Sequence, residues 1–415
     1  MNIVYAKAPF PESWISSIFL AGPTPRDTET PSWRPEALRL LSEAGYQGAV
    51  FVPEVEDGEW KSGPDAYLEQ VEWEEKGLNL ADVILFWVPR DMEKMPALTT
   101  NVEFGRWVTS GKCVLGAPPE AKSVKYLKWM LHEDAGGEMK TSLKEAVQAS
   151  LVRINSLAGS ETFSKEEGWR GNLRSGGERQ VPLHIWMTQS FQNWYTSQVQ
   201  AGNRLDEAKL LWHFAMPKAK KVFSWVLWVK IWISKEDRYK ENEWVFSRSD
   251  ISTVVLYKYP GPSSIDEISD TEIILVREFR SPARTLDGFV RELPGGSSLK
   301  PGRDPLEVAS SEVEEETGLS IQSSRFVSLG SRQLAATLSS HHAHVFCAEV
   351  TEEEMKQARG LADSQAVLGV EEDSERTYVE VTTVRALLES SSIDWSTLGM
   401  ITKALLGGPV TPTAR

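Results

Sequence analysis

The chain of 415 residues carries 45 Lys and Arg against 59 Asp and Glu, which gives a formal net charge of −14. Hydrophobic residues make up 41% and charged residues 25%, as in folded proteins, and this length predicts about two or three domains. The acidic balance argues against nucleic acid as a partner, because that binding needs basic surface, but a local nucleotide pocket stays compatible with it.

Cysteine content and hydropathy indicate the cellular compartment in which we expect the protein. Cys113 and Cys347 stand far apart and lack metal-ligand spacing, so we expect neither a disulfide nor a zinc site. The start of the chain lacks the basic and apolar regions of a signal peptide. The most apolar stretch, 222–233, contains Lys230 and is too short to span a bilayer. We therefore expect a cytoplasmic protein without a membrane partner.

Residues 1–154 alternate apolar stretches, typical of strands, with amphipathic stretches, typical of helices. The predicted strands are Ile18–Ala21, Val50–Val52, Asp82–Val88 and Cys113–Gly116. The predicted helices are Pro35–Ala44, Ala66–Asn79, Asn101–Ser110 and 141–154. Strands that are apolar throughout and alternate with helices indicate an α/β domain, a flavodoxin-like parallel sheet with helices on both faces.

The rest of the chain divides at about residue 221. Residues 155–220 predict a polar linker followed by a helical connector rich in Trp and amides. Residues 221–415 predict an α+β domain with a mixed sheet sandwiched by helices. Its strands are predicted at Val222–Ser234, Ile251–Tyr259, Glu272–Arg280 and Ala343–Val350. Its helices are predicted at Asp304–Thr317, Thr351–Arg359 and Trp395–Leu406.

Three segments of the first domain carry polar residues at the ends of predicted strands, where open α/β sheets bind ligands. They are Ile18–Pro23 (IFLAGP), Glu72–Trp87 (EWEEKGLNLADVILFW) and Met95–Trp107 (MPALTTNVEFGRW). Residues 99–101 are N-cap types, so we expect Glu103 in a first helical turn, stabilised as the anion. Such a carboxylate suits a nucleophile that attacks an anomeric carbon, and Asp82 is placed to hold a sugar hydroxyl.

Together these motifs resemble the nucleoside 2-deoxyribosyltransferase-like family, which includes deoxyribosyltransferases and nucleotide N-hydrolases, over roughly residues 15–150. The resemblance implies that Glu103 attacks C1′ and releases a base, as in a retaining glycosidase. It implies a sugar-binding role for Asp82 and a pocket role for the loop Gly22-Pro23-Thr24. The transferases usually carry an Asp shortly before the nucleophile, where this chain has Pro96-Ala97-Leu98, and Asn101 is the candidate substitute. Hydrolysis and transfer both stay open.

Four neighbouring residues have two interpretations each. Arg26 and Arg34 lie beside the first loop and are candidates for binding a 5′-phosphate, although a solvated surface position is the favoured interpretation. Trp73 and Trp87 are candidates for stacking on a base, although core packing is favoured for both.

A second motif lies at residues 292–319 (ELPGGSSLKPGRDPLEVASSEVEEETGL), which read as a Gly-rich turn followed by a helix. Glu312, Glu315 and Glu316 fall at i, i+3 and i+4, on one helical face. Like charges so close repel each other, and a hard divalent cation with oxygen ligands explains their clustering. We predict Mg²⁺, with Mn²⁺ as the alternative.

This segment resembles the Nudix hydrolase signature, and the resemblance extends over roughly residues 221–400. It implies that Glu315 and Glu316 hold the metal, with Glu312 as a further ligand or base. The run Val276–Gly296 resembles the branch that acts on ADP-ribose and nucleoside-diphosphate sugars. In that branch Arg280 would contact substrate and Glu292 would lie near the metal.

Two positions depart from that signature. Arg303 stands where the signature has Glu, and Ser311 stands where it has Arg. The missing Arg ordinarily orients the metal-binding glutamates, so weakened or altered activity is expected. Glu371 and Glu372 are candidates for a catalytic base in a loop.

Two nucleotide-handling domains in one chain predict a bifunctional enzyme. The second domain would hydrolyse a nucleoside diphosphate derivative, such as an ADP-ribose-like compound, a nucleotide sugar or a non-standard triphosphate. The first domain would then cut an N-glycosidic bond. In the alternative, the second domain is a nucleotide sensor that controls a single active site in the first. A homo-oligomer is expected from the resemblances alone.

Overall fold

The computed structural model describes residues 1–27, 29–56, 64–158, 173–216, 221–261, 264, 266–297, 302–369 and 376–407. The chain divides into two compact units, Met1–Val245 and Phe246–Arg415. Most of the predicted polar linker, at 159–172, lies outside the described residues. Within the described part of the chain, no helix combines the length and hydropathy needed to cross a lipid bilayer.

The first unit begins with an α/β arrangement and continues into helices and long strands. Its helices are α1 (Arg34–Glu43), α2 (Pro64–Leu80), α3 (Leu98–Trp107), α4 (Lys125–Ala135), α5 (Leu143–Ala158), α6 (Leu183–Trp186) and α7 (Gln189–Gln200). Its strands are β1 (Asn2–Tyr5), β2 (Ser13–Trp14), β3 (Ser17–Ala21), β4 (Ala49–Val52), β5 (Val83–Trp87), β6 (Cys113–Gly116), β7 (Arg174–Ser175), β8 (Arg204–Met216), β9 (Lys221–Ile233) and β10 (Arg238–Arg248), whose end belongs to the second unit.

A five-stranded parallel sheet forms the centre of the α/β part, in the order β1-β4-β3-β5-β6. Successive side chains of a strand point to opposite faces, and both faces here are covered. Phe19 packs on the side of α2, α3 and α4, and Leu20 packs on the side of α1 and α5. Burial on both faces explains why β3 and β5 are apolar throughout. The predicted α/β domain is confirmed.

Residues 181–245 form a smaller core around Trp186, Phe191 and Trp225, in which α6 and α7 pack with a three-stranded sheet of order β10-β9-β8. The helical connector was predicted to continue to residue 220, whereas residues 204–216 form the strand β8. Their Glu, Ala, Lys and Leu favour a helix, but antiparallel pairing with β9 overrides that preference. Because β9 belongs to this sheet, the second compact unit begins at Phe246 and not at residue 221.

The second unit is built on a mixed sheet. Its strands are β11 (Ile251–Lys258), β12 (Glu272–Phe279), β13 (Phe289–Glu292), β14 (Gly295–Gly296), β15 (Val327–Gln333), β16 (His342–Glu349) and β17 (Thr377–Thr383). Its helices are α8 (Pro305–Thr317), α9 (Glu352–Ser364), α10 (Val384–Glu389) and α11 (Trp395–Leu406).

The seven strands follow the order β13-β12-β11-β16-β15, with β14 paired to β11 and β17 paired to β12. β11 and β16 run parallel, and the other strand pairs of the described residues are antiparallel. Val254 packs with α8 and α9 on one face, and Val255 packs with α10 and α11 on the other. The predicted mixed sheet between helices is therefore present.

Candidate active site

The loop after β3 lies at the carboxyl edge of the parallel sheet, beside the end of β5. Gly22 has φ 149°, and a Cβ atom there would lie 2.2 Å from the carbonyl oxygen of Trp87. Only glycine allows the two strand ends to approach so closely. The Pro23 carbonyl accepts a hydrogen bond from Trp33 Nε1 at 3.2 Å, which fixes the next residue of the loop.

Arg34 binds this loop through a buried side chain, which is only 1% exposed. Its guanidinium donates to the carbonyl oxygens of Leu20 at 3.0 Å and Gly22 at 2.7 Å, and to Thr24 Oγ1 at 3.1 Å. Its ion pair with Glu54 measures 2.6 Å. The favoured surface position for Arg34 is therefore wrong, because the buried guanidinium shapes the loop for which a pocket role was predicted.

Glu103 lies on α3, the helix that follows β5. The helix begins at Leu98, and its N-cap is Ala97 in the left-handed region, with φ 57° and no side-chain cap. The prediction of caps at residues 99–101 is therefore wrong, because these residues are already helical. Glu103 consequently lies in the second turn, where the helix dipole stabilises a carboxylate less than in the first.

The surroundings of Glu103 favour its protonated form. The side chain is half-buried, and burial together with the negative charge of Glu74 raises its pKa to about 7, against the opposing effect of Arg34. Glu75 adds a smaller effect in the same direction. Burial also raises the pKa of Glu74, despite a hydrogen bond from Gln70. The carboxyls of α2 and α3 thus form an interacting pair that retains protons to unusually high pH.

Sequence reasoning missed Glu74, although the sequence contained a signal for it. Gln70, Glu74 and Leu78 follow one another at intervals of four residues on α2, and Gln70 and Leu78 are both buried. Residues at this spacing share one face of a helix. A glutamate between two inward-facing positions indicates a carboxylate turned toward the protein interior.

Asn101 lies on the same helix as Glu103, but its side chain is directed toward Arg90. Its side-chain oxygen accepts a hydrogen bond from Arg90, whose guanidinium also donates to the Ser123 carbonyl at 2.7 Å. Residues two apart on a helix do not face each other. Asn101 and Glu103 are therefore close in sequence, but their side chains are not paired with each other.

Asp82 lies at the opposite, amino edge of the sheet, immediately before β5. Its carboxylate accepts hydrogen bonds from the Ser17 backbone at 2.9 Å and the Ser17 hydroxyl at 3.2 Å, and it forms an ion pair with Arg174. Both charged side chains are at most 1% exposed. The prediction that Asp82 holds a sugar hydroxyl beside Glu103 does not agree with this position, and its contacts are those of a structural residue.

Comparison with known proteins defines the class of the first domain. Residues 15–121 match the family described as nucleoside 2-deoxyribosyltransferase like. This range includes Gly22, Arg34, Glu74 and Glu103, so the N-terminal part of the chain is a nucleoside 2-deoxyribosyltransferase-like domain. No curated protein matches the chain.

In the second unit, the structure gathers acidic side chains where β14 meets α8. Glu316 is 7% exposed, and its carboxylate accepts a hydrogen bond from the Gly295 backbone at 2.8 Å. Burial and the charges of Glu312 and Glu278 raise the pKa of Glu316 to about 8, although Arg280 opposes this shift. Glu278 was not predicted, although it lies on β12 within the run Val276–Gly296, two residues before Arg280.

The neighbouring charges are paired with Arg280. Its Nη2 atom lies 2.8 Å from Glu278 and 3.0 Å from Glu292, so the two residues predicted from the second motif, Arg280 and Glu292, do lie together. Glu315, by contrast, is exposed on α8. Glu371 and Glu372 lie outside the described residues.

The predicted metal ligands do not form a coordination site in this arrangement. Among the residues that the structure describes, no group of three or more His, Cys, Asp or Glu side chains is placed to hold a metal ion. Glu315 is directed to solvent and Glu292 is paired with Arg280. The set Glu312, Glu315, Glu316 and Glu292 therefore does not fit Mg²⁺ as it stands.

The two departures from the signature contact each other. Arg303 Nη2 donates to Ser311 Oγ at 2.6 Å, and Ser311 in turn donates to the Glu307 carbonyl at 2.8 Å. A hydrogen bond between a cation and a neutral hydroxyl thus joins the two positions where the signature has Glu and Arg. Arg303 is directed toward Ser311 and not toward the buried Glu316.

Proposed function

We propose that the N-terminal domain breaks the N-glycosidic bond of a nucleoside or nucleotide, with Glu103 as the nucleophile and Glu74 as the acid. The observation that carries this proposal is the interacting pair of carboxyls, both with raised pKa, on the two helices that flank β5. Two interacting carboxyls share protons near neutral pH, and the reaction uses the state in which Glu103 is ionised and Glu74 is protonated. The match of residues 15–121 to the deoxyribosyltransferase-like family supports the same chemistry.

The reaction begins when the Glu103 carboxylate attacks C1′ of the sugar. The bond between C1′ and the base nitrogen breaks, and the base leaves with the bonding electrons while Glu74 gives it a proton. A glycosyl ester on Glu103 remains. Water attacks this ester after giving a proton to Glu74, which frees the sugar and restores both residues. A second base in place of water would give transfer.

The loop Gly22-Pro23-Thr24 would accommodate the sugar. Arg34 fixes two of its backbone oxygens, so the loop keeps its shape without the substrate. A loop ordered in advance loses less entropy when it binds.

For the second unit we propose a nucleoside diphosphate derivative as ligand, held near Arg280 and hydrolysed there. The buried Glu316 and the ion pairs of Arg280 with Glu278 and Glu292 support a role for this cluster in binding and cleaving the ligand. The contact between Arg303 and Ser311 favours the competing function, in which this unit binds the nucleotide as a sensor without cleaving it.

Mass spectrometry of the products tests both proposals. The full chain is incubated with Mg²⁺ and a mixed nucleotide pool, beside the variants Glu103→Ala, Glu316→Gln and Glu120→Ala. Glu120 is an exposed glutamate of the same domain and serves as the matched control. We expect base release to disappear in Glu103→Ala only, and pyrophosphate cleavage to disappear in Glu316→Gln only.

The possible results test the proposals for the two domains independently. Base release that survives Glu103→Ala contradicts the proposed nucleophile. Base release without pyrophosphate cleavage in the parent protein makes the second unit a binding module. No free base across the whole pool overturns the proposal for the first domain.

A further inference from the structure

The first unit contains a second cavity, at the amino edge of the parallel sheet. Its volume is about 520 Å³, which falls within the range of roughly 300–1,000 Å³ typical of small-molecule sites. Its walls come from the end of α2 at Asn79, the turn between α3 and β6, and residues 208–213 of β8. Glu103 and the Gly22 loop do not line it, so the cavity is separate from the proposed glycosidic site.

The charged side chains that line the cavity are cationic. Arg106, Lys112 and Lys209 contribute to its walls, and no acidic side chain of the described residues does. Lys112 is 2% exposed, and although burial lowers its pKa to about 8, it stays mainly protonated at neutral pH. Such a cavity attracts an anion.

Lys112 has hydrogen-bonding capacity left for a ligand. Its ammonium group donates to the carbonyl oxygens of Asn79 at 2.7 Å and Leu78 at 3.3 Å, at the end of α2. An ammonium group carries three N–H donors. Within the described part of the chain, its third donor is not used.

Two tryptophans give the cavity aromatic surface. The ring of Trp107 lies 5.1 Å from Lys112 Nζ, and its buried indole Nε1 has no hydrogen-bond partner among the residues that the structure describes. A buried N–H without an acceptor is costly, and an acceptor on a ligand would satisfy it. Trp212, on β8, is 51% exposed and offers a ring face at the same cavity.

We propose that this cavity is a second ligand site, which binds an anionic aromatic molecule of the nucleotide class. The phosphate lies against Lys112 and Lys209, and the base packs on the tryptophans. Stacking of a base on an aromatic side chain contributes substantially to affinity in single-stranded nucleic-acid complexes, so loss of one ring is expected to weaken binding.

Calorimetric titration of the full-length Glu103→Gln variant with AMP tests the site, because this background suppresses turnover at the proposed glycosidic site. We expect Trp212→Ala and Lys209→Ala, each added to that background, to weaken one AMP-binding event about tenfold or more. The matched controls are Trp244→Ala and Lys235→Ala, which replace exposed residues that do not line the cavity, and we expect them to bind AMP like the parent. Trp244 is 51% exposed, like Trp212.

Inorganic phosphate serves as the second probe. We expect it to bind more weakly than AMP, with a dependence on Lys209 but not on Trp212. AMP binding that is unchanged in both Trp212→Ala and Lys209→Ala overturns the site. Phosphate that binds as tightly as AMP overturns the nucleotide class. Neither result depends on base release, so a failure here is distinguishable from a failure of the proposed glycosidic reaction.

Discussion

Glu103 on α3 interacts with Glu74 on α2, and burial together with the Glu74 charge raises the pKa of Glu103 to about 7. A nucleophilic carboxylate must be ionised. Base release should therefore increase with pH along an acid limb whose midpoint lies near 7, and not near the ordinary value for glutamate.

Replacing Glu74 should shift the pH range over which the rate of base release rises, which is the acid limb of its pH profile. Glu74→Gln removes a negative charge that disfavours ionised Glu103, so the pKa of Glu103 falls and the limb shifts to lower pH. The rate at the optimum should fall by about 10²-fold or more, because the departing base loses its acid. Initial rates of base release against pH measure both effects. Glu75→Gln is the matched control, with a smaller shift in the same direction, and a limb that stays fixed in Glu74→Gln contradicts the coupling.

Asp82→Asn should destabilise the protein without changing the chemistry of the folded domain. The substitution leaves the buried guanidinium of Arg174 without its charged partner, and breaking such a pair costs about 3–5 kcal/mol. Chemical denaturation measures this loss. Glu36→Gln, which breaks an exposed ion pair with Arg39, should cost much less stability, because solvent screens exposed charges. A large increase in KM with unchanged stability would instead support the predicted sugar contact.

The contrast between Asp82 and Glu103 shows what could be predicted from the sequence. Apolar strands and their spacing predict the α/β layers, and the motif around Glu103 identifies the family of the first domain. The motif does not tell which edge of the sheet a residue occupies. Asp82 begins its strand and so lies at the amino edge, and its partner Arg174 is distant in sequence. Glu74 was missed for the same reason, since only folding of α2 against α3 couples it to Glu103.

Gly22→Ala should distort the loop that is proposed to bind the sugar. A Cβ atom would lie 2.2 Å from the Trp87 carbonyl oxygen, and φ 149° is unfavourable for alanine. The two strand ends must therefore separate, and we expect base release to fall by at least about tenfold, with lower thermal stability. Gly105→Ala is the control, because its Cβ atom would meet only Met130, at 3.8 Å. Equal activity of the two variants would contradict a role for this loop.

Glu316 should make the stability of the protein dependent on pH. Its pKa is raised from 4.5 to about 8 in the folded state, so the fold favours the protonated form. The stability that protonated Glu316 contributes to the fold is complete at a pH below the pKa of this residue in the unfolded chain. This stability is lost as the pH rises toward 8. Glu316→Gln lacks this loss, and its stability relative to the parent should increase by on the order of 5 kcal/mol between about pH 4 and pH 9.

The same measurement tests the cation that was predicted from the sequence. If Mg²⁺ binds the ionised carboxylates, added Mg²⁺ should raise the thermal midpoint of the parent at about pH 9 and leave that of Glu316→Gln unchanged. Glu315→Gln is informative as a comparison, because Glu315 is exposed. An effect of Mg²⁺ that is the same in the parent and in Glu316→Gln would mean that the ion binds elsewhere.

Restoring the signature residues at positions 303 and 311 of the second unit requires two substitutions and not one. Because Arg303 Nη2 already contacts Ser311 Oγ at 2.6 Å, Ser311→Arg alone would bring two guanidinium groups together. We expect that single variant to show no gain in pyrophosphate cleavage and a small loss of stability. The exchange Arg303→Glu with Ser311→Arg places opposite charges at the same two positions and should raise cleavage by at least about tenfold if these departures weaken the site. Rates of phosphate-ester production measure the effect, with Arg303→Glu alone as the control. If the double variant stays inactive while nucleotide binding is retained, the second unit is a sensor.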